Sequence, residues 1–215
     1  MGRNAYRRRM FEFCLPTRAK VVPDGPDWLH EVKYDGYRLC VERDWDRVRL
    51  ITRGGYNWAR RYPWIVESAL KNRYKQFVID GEAVALGVDG ISDFNALHSG
   101  KNNDEVQLFA FDILALDGDD LRHLPLSMRK AHLSRLLARR PDGVFVSPFE
   151  QGCDRPGPLP RRLQYAWRAW SEASGPAVSG RQIETLGEGE EPEASRDGAR
   201  EGRVLMIDVP SPVYS

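Results

Sequence analysis

His30-Glu31-Val32-Lys33-Tyr34-Asp35-Gly36-Tyr37-Arg38 places one lysine, two carboxylates and one arginine around a tight Gly turn, between two apolar stretches. A lysine amine attacks only when it is unprotonated, and desolvation beside another cation favours that form. The stretch therefore reads either as a charged β-hairpin closed by Gly36 or as the cradle of a nucleophilic Lys33. Working outward, alternating apolar residues predict strands near 29–32, 37–42 and 48–52, the last two joined by the turn Asp44-Trp45-Asp46-Arg47. Pro63 predicts a helix start reaching about Leu70. Strands are expected again at 77–79 and 83–86, closed by Gly87-Val88-Asp89-Gly90. Ser92 is the expected cap of a short helix to Leu97, and 106–116 reads as a buried central strand. Ser127 is expected to cap a helix whose Leu133, Leu136 and Leu137 share a face, and Val144-Phe145-Val146 begins another strand. The sum is an α+β domain on an antiparallel sheet.

The formal net charge is +1, so nucleic-acid binding would need a local positive face rather than an overall excess. Residues 1–12, with Arg3 and Arg7 to Arg9, form a basic arm that either contacts phosphate or stays solvated. No apolar run reaches the ~20 residues of a membrane span, and the N-terminus lacks the apolar core of a secretory signal. A cytoplasmic protein with no membrane partner is expected. Cys14, Cys40 and Cys153 lack a Cys-x-x-Cys pairing and read as reduced thiols. His30, His98, His123 and His132 share no metal spacing and read as surface or capping residues, while Trp28, Trp45, Trp58 and Trp64 read as packing. A Gly-x-x-x-x-Gly-Lys-Ser/Thr loop is missing, so a nucleotide site of the P-loop kind is excluded.

Three further segments follow the lysine motif in order: Leu50-Ile51-Thr52-Arg53-Gly54-Gly55, Phe77-Val78-Ile79-Asp80-Gly81-Glu82-Ala83-Val84 and Leu108-Phe109-Ala110-Phe111-Asp112-Ile113-Leu114. With Lys-x-Asp-Gly-x-Arg, they resemble the motifs of the ATP-dependent DNA ligases and their capping-enzyme relatives, the covalent nucleotidyltransferases. The likeness runs over 13–152 and is strongest to the ligase domains of bacterial end-joining proteins.

That resemblance implies an antiparallel nucleotidyltransferase (adenylation) domain, with ATP and Mg2+ as cofactors and nicked or broken double-stranded DNA as substrate in repair and recombination. End-joining proteins are implied as partners of a monomer. Lys33 would carry AMP as a phosphoramidate. Arg38 and Arg53 would hold the ribose and phosphate side of the nucleotide or the DNA end; the alternative for both is a surface ion pair. Glu82 would bind ribose hydroxyls or magnesium through water, or else is a hairpin carboxylate. Phe111 would stack on adenine, or else is a core aromatic. Glu31 would meet the adenine edge, and Asp35 would orient Lys33 or help hold metal, or both are solvated carboxylates.

Residues 153–215 contain no Lys and no Phe and are dense in Gly, Pro, Glu and Arg, which predicts an irregular, non-native-looking tail. The fourth and fifth ligase motifs, with their lysines, and an oligonucleotide-binding barrel are expected to be missing. In the frame one base later, degenerate codons for Leu186 to Glu191 permit Trp-Val-Lys-Val-Lys-Asn, which looks like the fifth motif. A frame change near Cys153 is therefore expected, together with impaired adenylation. The alternatives are a non-catalytic nucleotide- or partner-binding remnant and a poorly folded product.

Overall fold

The computed structural model describes residues 11, 13, 16–19, 28–87, 90, 92–138, 142–151, 183–186 and 203–208. The chain divides into two units, 1–13 with 36–147 and 14–35 with 148–215, and each is taken by itself.

The first unit is built on β3 (Tyr37–Asp44), β4 (Arg47–Thr52), β5 (Gln76–Val84), β6 (Gln107–Leu116) and the short β7 (Asp119–Asp120), ordered β4-β3-β5-β6-β7. β8 (Val144–Val146) adds a parallel neighbour to β6. Period-two alternation sorts the side chains onto two faces. Leu39, Val41, Ile79, Leu108, Ala110 and Ile113 point into the main core, with α1 (Pro63–Lys71) and α3 (Leu126–Leu136) supplying Ile65, Ala69, Leu133 and Leu136. Cys40, Val78, Leu114 and Ala115 form a second apolar cluster, against which Phe11, Phe13 and Ile51 pack.

The helices start where proline and short polar side chains permit. Pro63 opens α1, as its fixed φ favours. α2 (Phe94–Ser99) is capped by Asp93, which accepts from the Ala96 N–H at 2.9 Å, and not by the expected Ser92. Ser92 is instead buried in a bridge to Leu86. α3 begins at Leu126, one residue before the expected cap Ser127, with Pro125 at the cap position. Arg43, buried in the core, ties the β3–β4 turn to the end of α1. It donates to the carbonyls of Trp45 (2.9 Å), Ala69 (2.5 Å) and Asn72 (2.7 Å), and Asn72 in turn donates to Leu136 O of α3 at 2.8 Å. The helix C-terminus is a favourable place for that cation. Trp45, expected to pack, sits in the β3–β4 turn at φ 56° and is 60% exposed.

One predicted break does not occur. The two strands expected at 77–79 and 83–86 are the single strand β5, which runs straight through Asp80-Gly81-Glu82. A Cβ at Gly81 would come 2.7 Å from Phe109 O and 2.9 Å from the Ala110 Cα, so only glycine lets the strand pass its neighbour there. The β5–β6 register slips at the same place. Gly81 faces Ala110 and Asp80 faces Asp112, which leaves Phe111 without an opposite number on β5.

The second unit carries a sheet ordered β1-β10-β11-β2-β9. It consists of β1 (Pro16–Ala19), β2 (Trp28–Lys33), β9 (Phe149–Gln151), β10 (Ile183–Leu186) and β11 (Arg203–Asp208). β11 runs parallel to β2, pairing Met206 with Glu31 and Asp208 with Lys33. With the parallel β6–β8 pair, this makes the architecture mixed rather than wholly antiparallel. The tail, expected to be irregular, contributes two strands. Leu186, where the shifted frame would place its Trp, ends one of them, and the remainder of 153–215 lies outside the described residues, as does 1–10 of the basic arm.

Tyr62 is a test of the core. Its side chain is fully buried against Trp58, and its hydroxyl finds no hydrogen-bond partner among the described residues. Burial pushes its pKa up to about 12, so the folded state holds the neutral phenol. Its contribution to stability is complete below the usual value of 10.0 and is lost as pH rises towards about 12. Tyr62→Phe removes an unsatisfied donor at constant shape. It is expected to raise the urea midpoint at neutral pH and to flatten the alkaline fall in stability, both read by circular dichroism.

Candidate active site

The stretch around Lys33 is not a hairpin. β2 pairs with β9 and β11, whereas β3 pairs with β4 and β5, so Tyr34-Asp35-Gly36 carries the chain from one sheet into the other. Gly36 is dictated by space on the β3 side: a Cβ would come 2.2 Å from Ala83 O and 3.0 Å from the Glu82 Cγ. The glycine thus lets the chain enter β3 directly against the Glu82-Ala83 segment.

On the lysine side, Leu29, Glu31 and Lys33 occupy one face of β2 by alternation. Leu29 and Glu31 are each 2% exposed, and Lys33 at the strand end is partly buried. Glu31 lies opposite Phe149 of β9 and Met206 of β11, in the interior of its sheet. This environment differs from the solvated strand end allowed for Glu31 by its sequence alone. Asp35 is partly buried in the crossing segment.

On the other sheet, Arg38 and Glu82 are direct cross-strand partners on β3 and β5. The guanidinium of Arg38 is committed to Asp80, with Nε donating to Oδ1 at 3.1 Å and Nη2 to Oδ2 at 2.7 Å. The side chains of the pair are 15% and 3% exposed. Desolvation raises the pKa of Asp80 against the opposing pull of Arg38, and the nearby Asp112 pushes it further up. Asp112 is itself held by Arg129 Nε at 3.0 Å and accepts from its neighbour's N–H, that of Ile113, at 2.8 Å. Two carboxylates facing one another across β5 and β6 are therefore neutralised by two different arginines. The Arg38 guanidinium also lies over the Phe111 ring, 5.1 Å from its centroid, and over that of Phe13 at 5.3 Å. Phe111 stands outside the main core cluster, on the arginine's side of the sheet. Arg53 is exposed in the turn after β4, where Gly55 at φ 80° lets its N–H reach Thr52 O at 2.8 Å.

Residues 15–152 match the family model described as ATP dependent DNA ligase domain, which covers well over half of the chain. The chain belongs to the ATP-dependent DNA ligase family. It is 33% identical over 144 residues to the multifunctional non-homologous end joining protein LigD of Pseudomonas aeruginosa, covering 65% of this chain and 17% of that protein. It is 37% identical over 118 residues to a probable DNA ligase of Streptomyces coelicolor, covering 50% of this chain and 23% of that one. Among solved structures, a mycobacterial DNA ligase D complexed with ATP and MES superposes with a TM-score of 0.55 at 31% identity, over 66% of this chain and 48% of the other. The ligase chain thus spans less than a quarter of the two curated relatives. Its mixed sheets with few helices are those of the ligase adenylation domain.

The ligase fold brings Arg38, Glu82 and Phe111 onto neighbouring strands, and carries Glu31, Lys33 and Asp35 on or beside β2. Asp80 was not singled out by the sequence motifs as a functional residue, although an acid between Ile79 and Gly81 in an apolar strand is itself the signal of a buried partner. Among the described residues, no three His, Cys, Asp or Glu side chains converge as a metal site, and no helix is long and apolar enough to cross a membrane. His98 is exposed, with its Nδ1 2.7 Å from the Tyr37 hydroxyl. Cys40 is a buried free thiol whose pKa burial pushes well up; Cys14 and Cys153 lie outside the described residues.

The sign of the Asp80 shift yields a test. A carboxyl raised above its usual 3.8 takes up a proton in the folded state first, so stability falls as pH rises from 3.8 through the raised value and is flat above it. The stability of the wild type relative to Asp80→Asn is therefore expected to improve on acidification from about pH 7 to about pH 4 in urea unfolding. A relative loss over that range would mean that the pairing with Arg38 outweighs burial.

Proposed function

We propose that the chain is the adenylation domain of a DNA ligase, in which Lys33 attacks the α-phosphate of ATP, pyrophosphate leaves, and AMP is retained as a lysine phosphoramidate. The amine loses its proton as the P–N bond forms. The AMP then passes to the 5′-phosphate at a DNA nick, where attack by the 3′-hydroxyl releases AMP and seals the strand. Family membership across 15–152 carries this reading, because that span includes all four motifs. Glu31, interior and on the face of Lys33, is suited to the adenine edge, where a carboxylate accepts an amine proton. Asp35 orients Lys33. Arg53 meets the phosphate side of the nucleotide or the DNA end, for which its exposure is suited.

Glu82 is assigned to the ribose hydroxyls and Phe111 to stacking on the base; the Phe111 ring is buried at 6% exposure, lies apart from the main apolar cluster and rests against Arg38. Arg38 acts beside them from its seat on Asp80. Magnesium fits as an ion that arrives with the ATP phosphates, with Glu82 or Asp35 reaching it through water, since such ions are commonly held by one or two carboxylates plus substrate phosphates. When bound it supplies positive charge to the phosphate oxygens.

Activity is weak in this reading. Residues 153–215 contain no lysine, so the cations of the fourth and fifth motifs are missing from that stretch. Each such group commonly contributes on the order of 10²-fold to a charge-developing step. The second reading, a nucleotide- or partner-binding remnant of a disrupted ligase gene, rests on the same observation. Sequencing the locus in the frame one base on from Cys153 tests whether the lost lysines are encoded there.

Incubation with α-labelled ATP and magnesium distinguishes the two readings. A label that survives denaturation is expected, absent in Lys33→Ala and unaffected by excess GTP. Saturable ATP binding with no covalent label supports the remnant, and competition by GTP supports a capping-type guanylyltransferase.

A further inference from the structure

The segment preceding the lysine motif sends two rings onto one face of the sheet. Phe11 and Phe13, two residues apart, both pack on the cluster of Cys40, Val78, Leu114 and Ala115. Each ring also meets an arginine whose fork is already engaged by a carboxylate. Arg122 lies 5.0 Å from the Phe11 centroid, with Nε and Nη2 on Asp120, and Arg38 lies 5.3 Å from the Phe13 centroid, with Nε and Nη2 on Asp80. Phe13 differs from Phe11 in what its arginine does next, because the same guanidinium lies over Phe111 at 5.1 Å.

We propose that Phe13 is a positioning residue for the nucleotide, acting through Arg38 on the ring of Phe111. This rests on the assignment of Phe111 and Arg38 to the ATP site made above. The bidentate seat on Asp80 fixes one edge of the guanidinium but leaves it able to tilt about that edge, and a ring against its π-face restrains the tilt. A guanidinium is weakly hydrated on its faces, so an aromatic contact there replaces little water and keeps the hydrogen bonds at the edge. The arginine in turn fixes the plane of Phe111. That residue needs such restraint because it sits at the register slip of β6, where no β5 residue opposes it. The chain outside the ligase motifs thereby sets the geometry of a residue inside them.

The test uses the full-length chain with Phe13→Leu, which keeps apolar bulk without a π-face, and Phe13→Trp, which keeps the face. ATP binding is followed by titration calorimetry with magnesium. Phe13→Leu is expected to raise Kd by about threefold to tenfold, as loss of a partly buried cation–π contact implies, while Phe13→Trp stays within about twofold of wild type. A filler of the apolar cluster alone would give unchanged Kd in Phe13→Leu, and a cover over the site would give tighter binding. Either result overturns the proposal.

A double-mutant cycle of Phe13→Leu with Arg38→Lys in urea unfolding needs no nucleotide, and non-additive stabilities are expected. Additive stabilities overturn the contact itself. A non-additive cycle in a protein that fails to bind ATP overturns the positioning role together with the adenylation reading, while leaving the contact standing.

Discussion

The buried ion pair between Arg38 and Asp80 is the constraint around which the motif-bearing sheet is arranged. A carboxylate that is 3% exposed in the middle of an apolar strand is tolerable only with a hydrogen-bonded cation. Its cation comes from the adjacent strand, where Arg38 stands two positions along from the residue opposite. That fixes the register of β3 against β5, and the register puts Glu82 opposite Arg38 and Gly36 one step from Ala83. Removing one partner of such a pair costs about 3–5 kcal/mol, a large share of the stability of a domain this size. The charges therefore act first as a ruler for strand alignment, and Glu82 and Gly36 inherit their positions from it.

Much of this was legible in residues 28–152. Alternation marked β3 and β4, and a continuous apolar run β6, nearly to their ends, and Pro63 marked the start of α1. The errors have local physical causes. Gly81 looked like a strand break because glycine weakens strands, but its missing Cβ serves a close approach to Phe109 and Ala110 that no single-strand pattern can reveal. Ser92 and Asp93 are both good caps, and the choice was decided by the bridge that buries Ser92. Trp45 looked like packing because apolar rings usually are, yet the turn placed it in water.

The candidate site could be proposed from the sequence as a set of residue types and not as a set of partners. Lys33, Arg38, Glu82 and Phe111 could be chosen from their motifs, but the sequence distance from Arg38 to Asp80 carries no sign that they touch. Nor does anything near Phe13 announce a relation to Arg38. The two parallel pairings were equally hidden, since parallel neighbours need no turn between them and leave no hairpin signal.

The parallel pairing of β2 with β11 has a consequence for how the molecule is made. The strand that ends in Lys33 is completed by residues 203–208, separated from it by nearly the whole chain. Contacts of such long sequence separation close a large loop before they return any stabilisation, so they belong to the slow, late part of folding. During synthesis the Arg38 sheet can assemble while the lysine's own sheet still waits for its neighbour. Lys33 is thus borne by the last-finished part of the fold, and quality control that monitors unfinished strands has its longest opportunity there.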